Sequence, residues 1–169
     1  MAIRASQFLA IVFTAIALVP GVAHLMAFPA KIDMPEEPYF AVQQIYRGWA
    51  WFGLAIFAAI FANFTSAMLV RDRPREFWLS FAASLLIAVT LIIFFTWTYP
   101  ANQLTGNWTS VPDNWETLRR QWEYSHAVNA AITFIAFLCS VGAALSTDVR
   151  PGATRASAHE SSSGTARHA

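Results

Sequence analysis

WFGLAIFAAIFANFTSAMLVRDRPREFWLSFAASLLIAVTLIIFFTWTY, residues 51–99, consists of two apolar runs on either side of the charged hexapeptide RDRPRE (71–76). Each run is about 20 residues long, which is the length that an α-helix needs to cross the hydrocarbon core of a bilayer. Pro74 stops the runs from joining into one helix, because proline lacks a backbone N–H and clashes with the preceding turn. The stretch therefore predicts a hairpin of two transmembrane helices.

Two further apolar runs lie outside this hairpin. The four predicted spans contain no Asp, Glu, Lys or Arg, and they cover residues 6–28, 49–70, 77–99 and 125–145. The first run has the Arg4 and the small residues of a secretory signal, but it is about 20 residues long, so we expect it to be retained as a helix. We predict an all-α, four-transmembrane-helix bundle over residues 1–146, with the lipid bilayer as its surroundings.

The composition excludes several classes of protein. Hydrophobic residues make up 56% of the chain and charged residues 12%, against about 45–50% and about 25% in soluble domains. The net charge of +1 gives no reason to expect nucleic acid as a partner. The single cysteine, Cys139, excludes a disulfide framework or a cysteine-based zinc site within one chain. The sequence leaves homo- or hetero-oligomers open.

Basic residues near the spans predict the orientation. Arg4 precedes the first span, three arginines fill the 71–76 turn, and more follow the fourth span. Because cytoplasmic segments of membrane proteins are rich in Lys and Arg, we predict a plasma (inner) membrane protein with both termini in the cytoplasm. The 29–48 and 100–124 connections then face outward. Residues 147–169 are rich in Ser, Ala, Gly, Thr and Arg, which predicts a disordered cytoplasmic tail.

The segment NWETLRRQWEYSH (114–126) concentrates charged and aromatic residues immediately before the last span. We expect it to form an outward helical extension that continues into that span. At 3.6 residues per turn, one face carries a mixed aromatic and polar stripe, with Glu123 on its flank. The stripe consists of Trp115, Arg119, Trp122, His126, Asn129 and Thr133. Polar side chains at membrane depth usually point into a bundle, because hydrocarbon cannot satisfy them.

Polar residues of the other spans fall at the same predicted level. His24 lies near the outer end of the first span, Arg47 precedes the second, and Asn102 follows the third. We therefore expect one outward-facing pocket that these residues share with the stripe. Each residue taken singly also has a structural interpretation, such as an interfacial anchor or an i,i+4 ion pair between Arg119 and Glu123. The shared level of the residues is what favours a functional site.

These residues also carry a resemblance to a known family. The sequence YPANQLTGNW (99–108), followed by NWETLRRQWEYSHAVNA (114–130), resembles the DUF1772 family of small four-helix membrane proteins, which includes anthrone-oxygenase-like proteins. The matching positions are Asn102, Trp115, Arg119, Trp122, Glu123 and His126. The resemblance covers roughly residues 7–146, and the first half of the chain looks like one branch of the family. It implies oxygenation of an anthrone to a quinone.

The first functional hypothesis is thus a cofactor-free oxygenase or oxidoreductase that acts on a hydrophobic aromatic, anthrone- or phenol-like molecule. His126 is the expected base, because imidazole titrates near neutrality, and Glu123 is expected to orient it or balance its charge. Arg119 and Asn102 are expected to stabilise the developing oxyanion. Trp115 and Trp122 are expected to stack on the substrate. We include His24 and Arg47 among the substrate-binding residues.

Two other hypotheses stay open. Glu123 and His126 form an E-x-x-H motif, and His24 completes a two-histidine, one-carboxylate set that suits iron, or two histidines that suit haem. A di-iron site usually needs a second E-x-x-H, which the sequence lacks, so no metal or cofactor is predicted. The remaining hypothesis is non-enzymatic: a lipid- or quinone-binding subunit, or a partner of another membrane protein.

Overall fold

The computed structural model describes residues 1–148, and the tail predicted for residues 147–169 lies outside them from residue 149 onward. The described chain contains helices and turns without a strand, which confirms the all-α class. The α-helices are α1 (Ala2–Lys31), α2 (Glu36–Gln43), α3 (Phe52–Leu69), α4 (Pro74–Ile93), α5 (Tyr99–Leu104) and α6 (Trp115–Asp148). A π-helical segment, Phe94–Thr98, joins α4 to α5, and short 3-10 turns cover Gln44–Tyr46 and Trp49–Trp51.

Four helices are long and apolar enough to cross a membrane, as predicted. They cover Ala2–Lys31, Trp49–Leu69, Pro74–Leu104 and Trp115–Thr147. The helices pack in a ring in which α1 contacts α3 and α6, and α4 contacts α3 and α6. The first and last helices extend beyond the apolar runs, because helical hydrogen bonding continues through polar residues once a helix has formed. This is why Lys31 and the 115–124 segment are helical.

Small residues line the interior of the bundle. Along α1 the buried positions recur every seven residues in two series, Gln7 and Thr14, and Ala10, Ala17, His24 and Lys31. Such spacing keeps one face of a helix against its neighbours over its whole length. Large side chains such as Phe8, Leu54, Phe61, Leu85 and Leu138 are exposed on the outside. Small residues inside and large apolar residues outside are typical of helices that pack within lipid.

Polar side chains tie the helices together in the middle of the bundle. The amide of Asn63 donates to Thr14 Oγ1 at 2.9 Å and accepts from Ser140 Oγ at 2.7 Å. One side chain of α3 thereby links α1 and α6, as expected for an asparagine deep in a span. At one end of the bundle, Gln7 Nε2 donates to Thr147 Oγ1 at 2.8 Å. These bonds fix the alignment of α1 with α6 along their length.

Gly21 allows α1 to approach α6 closely. A Cβ at this position would lie 3.2 Å from Ala130 Cα and 3.3 Å from Ala130 Cβ, which is closer than most Cβ contacts. The contact lies one turn from His24 on α1 and one turn from His126 on α6. The missing side chain of Gly21 therefore sets the distance between the two helices next to the histidines.

The 32–51 and 105–114 segments lie at the same end of the bundle, which we call the connection end. In the first of them, α2 is followed by the 3-10 turn Gln44–Tyr46, and Gly48, with a φ of +88°, separates that turn from the second span. In the other segment Gly106, Asn107 and Trp108 are left-handed in succession, with Trp108 at a φ of +65°. A left-handed tryptophan is rare and strained, and here it directs the indole into the protein, where Trp108 is buried.

Candidate functional site

A cluster of buried polar and aromatic side chains occupies the connection end. We call it the buried cluster, and it consists of His24, Lys31, Tyr39, Gln43, Tyr46, Trp122, Glu123 and His126. The residues come from α1, from the connection that follows α1, and from the first four turns of α6. Three elements thus supply side chains to one location, where charged groups are held away from water.

An ion pair between α1 and α6 lies at the centre of the buried cluster. Lys31 Nζ is 2.8 Å from Glu123 Oε1, and the two side chains are 2% and 0% exposed. Lys31 Nζ also donates to Gln43 Oε1 at 3.1 Å and to the Tyr46 hydroxyl at 3.2 Å. Because an ammonium group has three N–H donors, these contacts use all of them. The pair is therefore fixed in one geometry.

The two oxygens of Glu123 have different surroundings. Oε1 accepts from Lys31 and from the Tyr39 hydroxyl, which lies 3.0 Å away. The amide of Gln43 in turn donates to the Tyr39 oxygen at 3.0 Å. Oε2 is buried and accepts no hydrogen bond from the described residues. Burial, followed by the nearby Glu123 carboxylate, raises the pKa of Tyr39 well above the ordinary tyrosine value, so Tyr39 is a neutral donor.

Two histidines stack on each other beside this pair. The ring centroids of His24 and His126 are 4.1 Å apart, with 30° between the ring planes. His24 is buried, its Nδ1 has no hydrogen-bond partner among the described residues, and His126 is partly exposed. The ring of Tyr46 lies 4.2 Å from that of His24, and the ring of Trp122 lies 4.2 Å from that of His126. The imidazoles are therefore enclosed by aromatic surfaces.

Asn102 holds two of the surrounding indoles. Its Oδ1 accepts from Trp122 Nε1 at 2.9 Å and from Trp108 Nε1 at 3.1 Å. Trp108 also contacts the ring of Tyr39, with 5.3 Å between centroids. One amide oxygen thus fixes the orientation of Trp122 against the histidines and connects it to the 105–114 segment.

Arg119 attaches the connection after α1 to α6. Its Nη1 donates to the backbone oxygen of Met34, and its guanidinium lies 4.7 Å from the ring centre of Trp115 and 5.5 Å from that of Tyr39. Such positions over aromatic faces favour a cation. The buried Nε of Arg119 has no hydrogen-bond partner among the described residues. Within the connection end, Arg119 and Lys31 provide two buried cations against one buried carboxylate, Glu123.

Unpaired polar atoms are concentrated at this end of the bundle. Five buried side-chain nitrogen or oxygen atoms within residues 1–148 have no hydrogen-bond partner. Four belong to the cluster or to the same part of α6, namely His24 Nδ1, Arg119 Nε, Glu123 Oε2 and Asn129 Oδ1; the fifth is Ser66 Oγ. Buried polar groups are usually paired, because an unpaired one loses its bonds to water. The concentration favours a site that binds a molecule with a polar group.

The structure brings together most of the residues that the sequence predicts for a site. His24, Trp122, Glu123 and His126 lie in the buried cluster, and Asn102, Arg119 and Trp115 contact it. Arg47 is placed elsewhere: it is exposed, and its guanidinium donates to Gln44 Oε1 at 2.9 Å. Glu123 has Lys31 and Tyr39 as its partners, whereas the sequence suggested His126 or Arg119.

Four residues of the buried cluster were missing from the prediction: Lys31, Tyr39, Gln43 and Tyr46. The spacing contained a signal for each. Lys31 follows His24 by seven residues, so the two share a face if the first helix continues past its apolar run. Tyr39, Gln43 and Tyr46 are spaced four and three residues apart, as on one face of a helix. The sequence predicts only that the 29–48 connection faces outward, and that prediction assigns none of the four residues to a site.

The chain matches no protein-family model, no curated protein and no solved structure. The resemblance to the DUF1772 family stays a prediction from the residues themselves. Within residues 1–148, no group of three or more His, Cys, Asp and Glu side chains is arranged to hold a metal ion. The geometry of the buried cluster is therefore the basis for a functional proposal.

Proposed function

We propose that this multi-pass membrane protein binds a flat, hydrophobic, phenol- or anthrone-like molecule at its connection end and removes a proton from it for reaction with oxygen. The observation that carries the proposal is the stack of His24 on His126, 4.1 Å apart and enclosed by tyrosine and tryptophan rings. Imidazole is a base near neutral pH, and aromatic rings suit a flat apolar molecule.

The stack limits how much charge the two histidines hold together. Two unit charges at 4 Å repel each other by about 4 kcal/mol at an effective dielectric constant of 20. The nearby cation of Lys31 adds to this repulsion, since it lies 4.7 Å from the centre of the Trp122 ring that touches both imidazoles. The pair therefore takes up at most one proton. We assign this role to His126, which is the more accessible of the two.

The proposed reaction needs only molecular oxygen as co-reactant. An anthrone gives up a proton from its CH₂ group to His126, and the resulting carbanion adds O₂ to form a hydroperoxide after protonation. Loss of water from the hydroperoxide leaves the C=O group of the quinone, so one O₂ is consumed and one H₂O is released. The buried cations Arg119 and Lys31 favour the negative charge that develops on the substrate oxygen. Asn102 positions Trp122 against the substrate ring.

Oxygen uptake tests this proposal. The protein is purified in detergent and mixed with an anthrone, and wild type is compared with His126→Phe, in which a ring still stacks on His24. We expect turnover to fall by about a hundredfold or more, as for loss of a general base, with an unchanged circular dichroism spectrum. Tyr124→Phe, an exposed change on the same helix, is the matched control. Full turnover by folded His126→Phe contradicts the assignment.

Quinone binding without chemistry is the second candidate. It is favoured by the same aromatic enclosure and by the unpaired Nδ1 of His24, which in its protonated tautomer donates to a carbonyl oxygen. The two candidates differ in one assay. Saturable binding of 1,4-naphthoquinone by wild type, without oxygen uptake from an anthrone, supports a binding protein. Oxygen uptake that depends on His126 supports the enzyme.

A further inference from the structure

We infer that the ligand of the buried cluster is recognised through a hydroxyl group, which donates a hydrogen bond to Oε2 of Glu123. This inference rests on the proposed function, in that it describes the molecule that the same site takes. It predicts that phenols bind in preference to their methyl ethers and to quinones. Glu123 is thereby a specificity-determining residue, whereas the sequence suggested that it orients or charge-balances His126.

The argument begins with the asymmetry of the carboxylate. Glu123 Oε1 has two donors, Lys31 Nζ at 2.8 Å and the Tyr39 hydroxyl at 3.0 Å, and Oε2 has none. The side chain is 0% exposed. An ionised carboxylate is an acceptor only, and a buried charged acceptor without a donor is costly. A ligand that supplies one O–H donor removes this cost, and a ligand without a donor does not.

The donors that contact Glu123 Oε1 are already committed, whereas Arg119 Nε, one turn away on α6, has no partner among the described residues. The three N–H groups of Lys31 go to Glu123 Oε1, Gln43 and Tyr46, and the single proton of Tyr39 goes to Oε1. Gln43 Nε2 donates to the Tyr39 oxygen. A donor for Oε2 must therefore come from outside this network, since moving one inside it would leave another acceptor unpaired.

The position of Oε2 also suits the proposed chemistry. Glu123 and His126 are three residues apart on α6, so they are neighbours on one side of the helix, with about 5–6 Å between Cβ atoms. Trp122, next to Glu123 in the sequence, packs against both histidines. A flat molecule of one or two rings can therefore direct a hydroxyl to Glu123 while another edge faces His126.

Ligand binding without turnover tests the inference. Under argon, purified wild type in detergent is titrated by calorimetry with 2-naphthol, with 2-methoxynaphthalene and with 1,4-naphthoquinone. A hydrogen bond to a charged group contributes about 1.5–3 kcal/mol, so we expect 2-naphthol to bind about tenfold to a hundredfold more tightly than the ether. The ether keeps the rings and the oxygen but carries a methyl group in place of the hydroxyl hydrogen, which makes it the control ligand for the donor.

Glu123→Gln changes the chemistry at the position of Oε2, which has no partner in wild type. The amide oxygen stays with the donors Lys31 and Tyr39, so the NH₂ group replaces Oε2 and turns an acceptor into a donor. We expect the preference for 2-naphthol over the ether to fall to about twofold or less, and 1,4-naphthoquinone to bind more tightly than it binds wild type. The double variant K31M/E123Q keeps the amide and removes the unpaired Lys31 charge, so it serves if the single variant does not fold.

Each outcome decides the inference separately from the proposed reaction. If wild type prefers the hydroxyl and Glu123→Gln does not, the inference is supported, even if the protein consumes no oxygen. Equal binding of 2-naphthol and its ether by wild type overturns the inference and leaves proton removal by His126 untouched. A hydroxyl preference that persists in the folded amide variants also overturns it. If none of the three ligands binds, the inference fails, and oxygen uptake from an anthrone decides the proposed reaction by itself.

Discussion

Lys31, the last residue of α1, pairs with Glu123 on α6 at 2.8 Å, and both side chains are buried. The pair connects the end of the first span to the start of the last. Burying two charges costs several kcal/mol per ion, and only good geometry with further hydrogen bonds offsets that cost. Gln43, Tyr39 and Tyr46 supply those bonds. The connection after α1 is therefore held in place by the same groups that stabilise the ion pair.

Removing one member of this pair should destabilise the protein strongly. We expect Lys31→Met to lower the free energy of unfolding by about 3–5 kcal/mol, because Glu123 is left as an unpaired buried charge. The double variant K31M/E123L should recover most of the loss, since no charge is then buried. Denaturation in detergent, followed by circular dichroism, measures both. Arg47→Met, at an exposed position of the same end, is the control. Equal losses of unfolding free energy in Lys31→Met and Arg47→Met would contradict the prediction.

A side chain at Gly21 should separate the two histidines. In Gly21→Val, the new side chain needs the space that Ala130 already fills, so α1 and α6 must move apart. Overpacking of this kind costs about 1–3 kcal/mol, and it should also lower turnover by loosening the stack of His24 on His126. Melting temperature and oxygen uptake are the measurements.

Gly53→Ala is the matched control for this change, because a Cβ at Gly53 meets nothing within 4 Å. It should leave stability unchanged or raise it slightly, since alanine favours a helix more than glycine. If Gly21→Val and Gly53→Ala have the same melting temperature, the contact between Gly21 and Ala130 does not set the helix separation.

The sequence alone predicts the four spans and the stripe on α6, because long apolar runs and helical spacing are local features. Spacing can place Lys31 on the same face as His24, but it does not show that Lys31 is buried or that it pairs with Glu123. Lys31 follows an apolar run and looks like an interfacial charge, and its burial depends on Tyr39 and Tyr46 folding back over it. That fold-back depends on the break at Gly48 and on contacts with Trp108, which is distant in the sequence.

Arg47 was predicted for the site, but it lies outside the buried cluster. It lies at the right level in the sequence for the site, and it directly follows Tyr46, which enters the buried cluster. The 3-10 turn Gln44–Tyr46 directs Tyr46 towards Lys31 and leaves Arg47 exposed. The depth of a residue relative to the membrane can be predicted from how many residues separate it from a span. The direction of its side chain in a short turn depends on tertiary contacts.

Asn63 should contribute to stability and not to ligand binding or turnover. Asn63→Ala removes its bonds to Thr14 and Ser140 in the middle of the bundle. Side-chain hydrogen bonds within membrane proteins contribute about 0.6 kcal/mol each on average, so we expect a loss of about 1–2 kcal/mol. Binding of 2-naphthol and oxygen uptake below the melting temperature should be unchanged. A loss of binding in the folded variant would show that the middle of the bundle takes part in the site.

The buried phenol of Tyr39 should make the stability of the protein depend on pH. Burial and the Glu123 carboxylate raise the pKa of Tyr39, so the folded protein keeps the phenol neutral while the unfolded chain ionises near pH 10. Above that pH the unfolded state binds fewer protons than the folded state, and stability must fall as pH rises. Tyr39→Phe cannot ionise. We therefore expect the difference in unfolding free energy between wild type and Tyr39→Phe to be constant below about pH 10 and to shrink above it, measured by denaturation in detergent from neutral to alkaline pH. A difference that stays constant throughout would mean that Tyr39 ionises alike in both states and does not donate to Glu123.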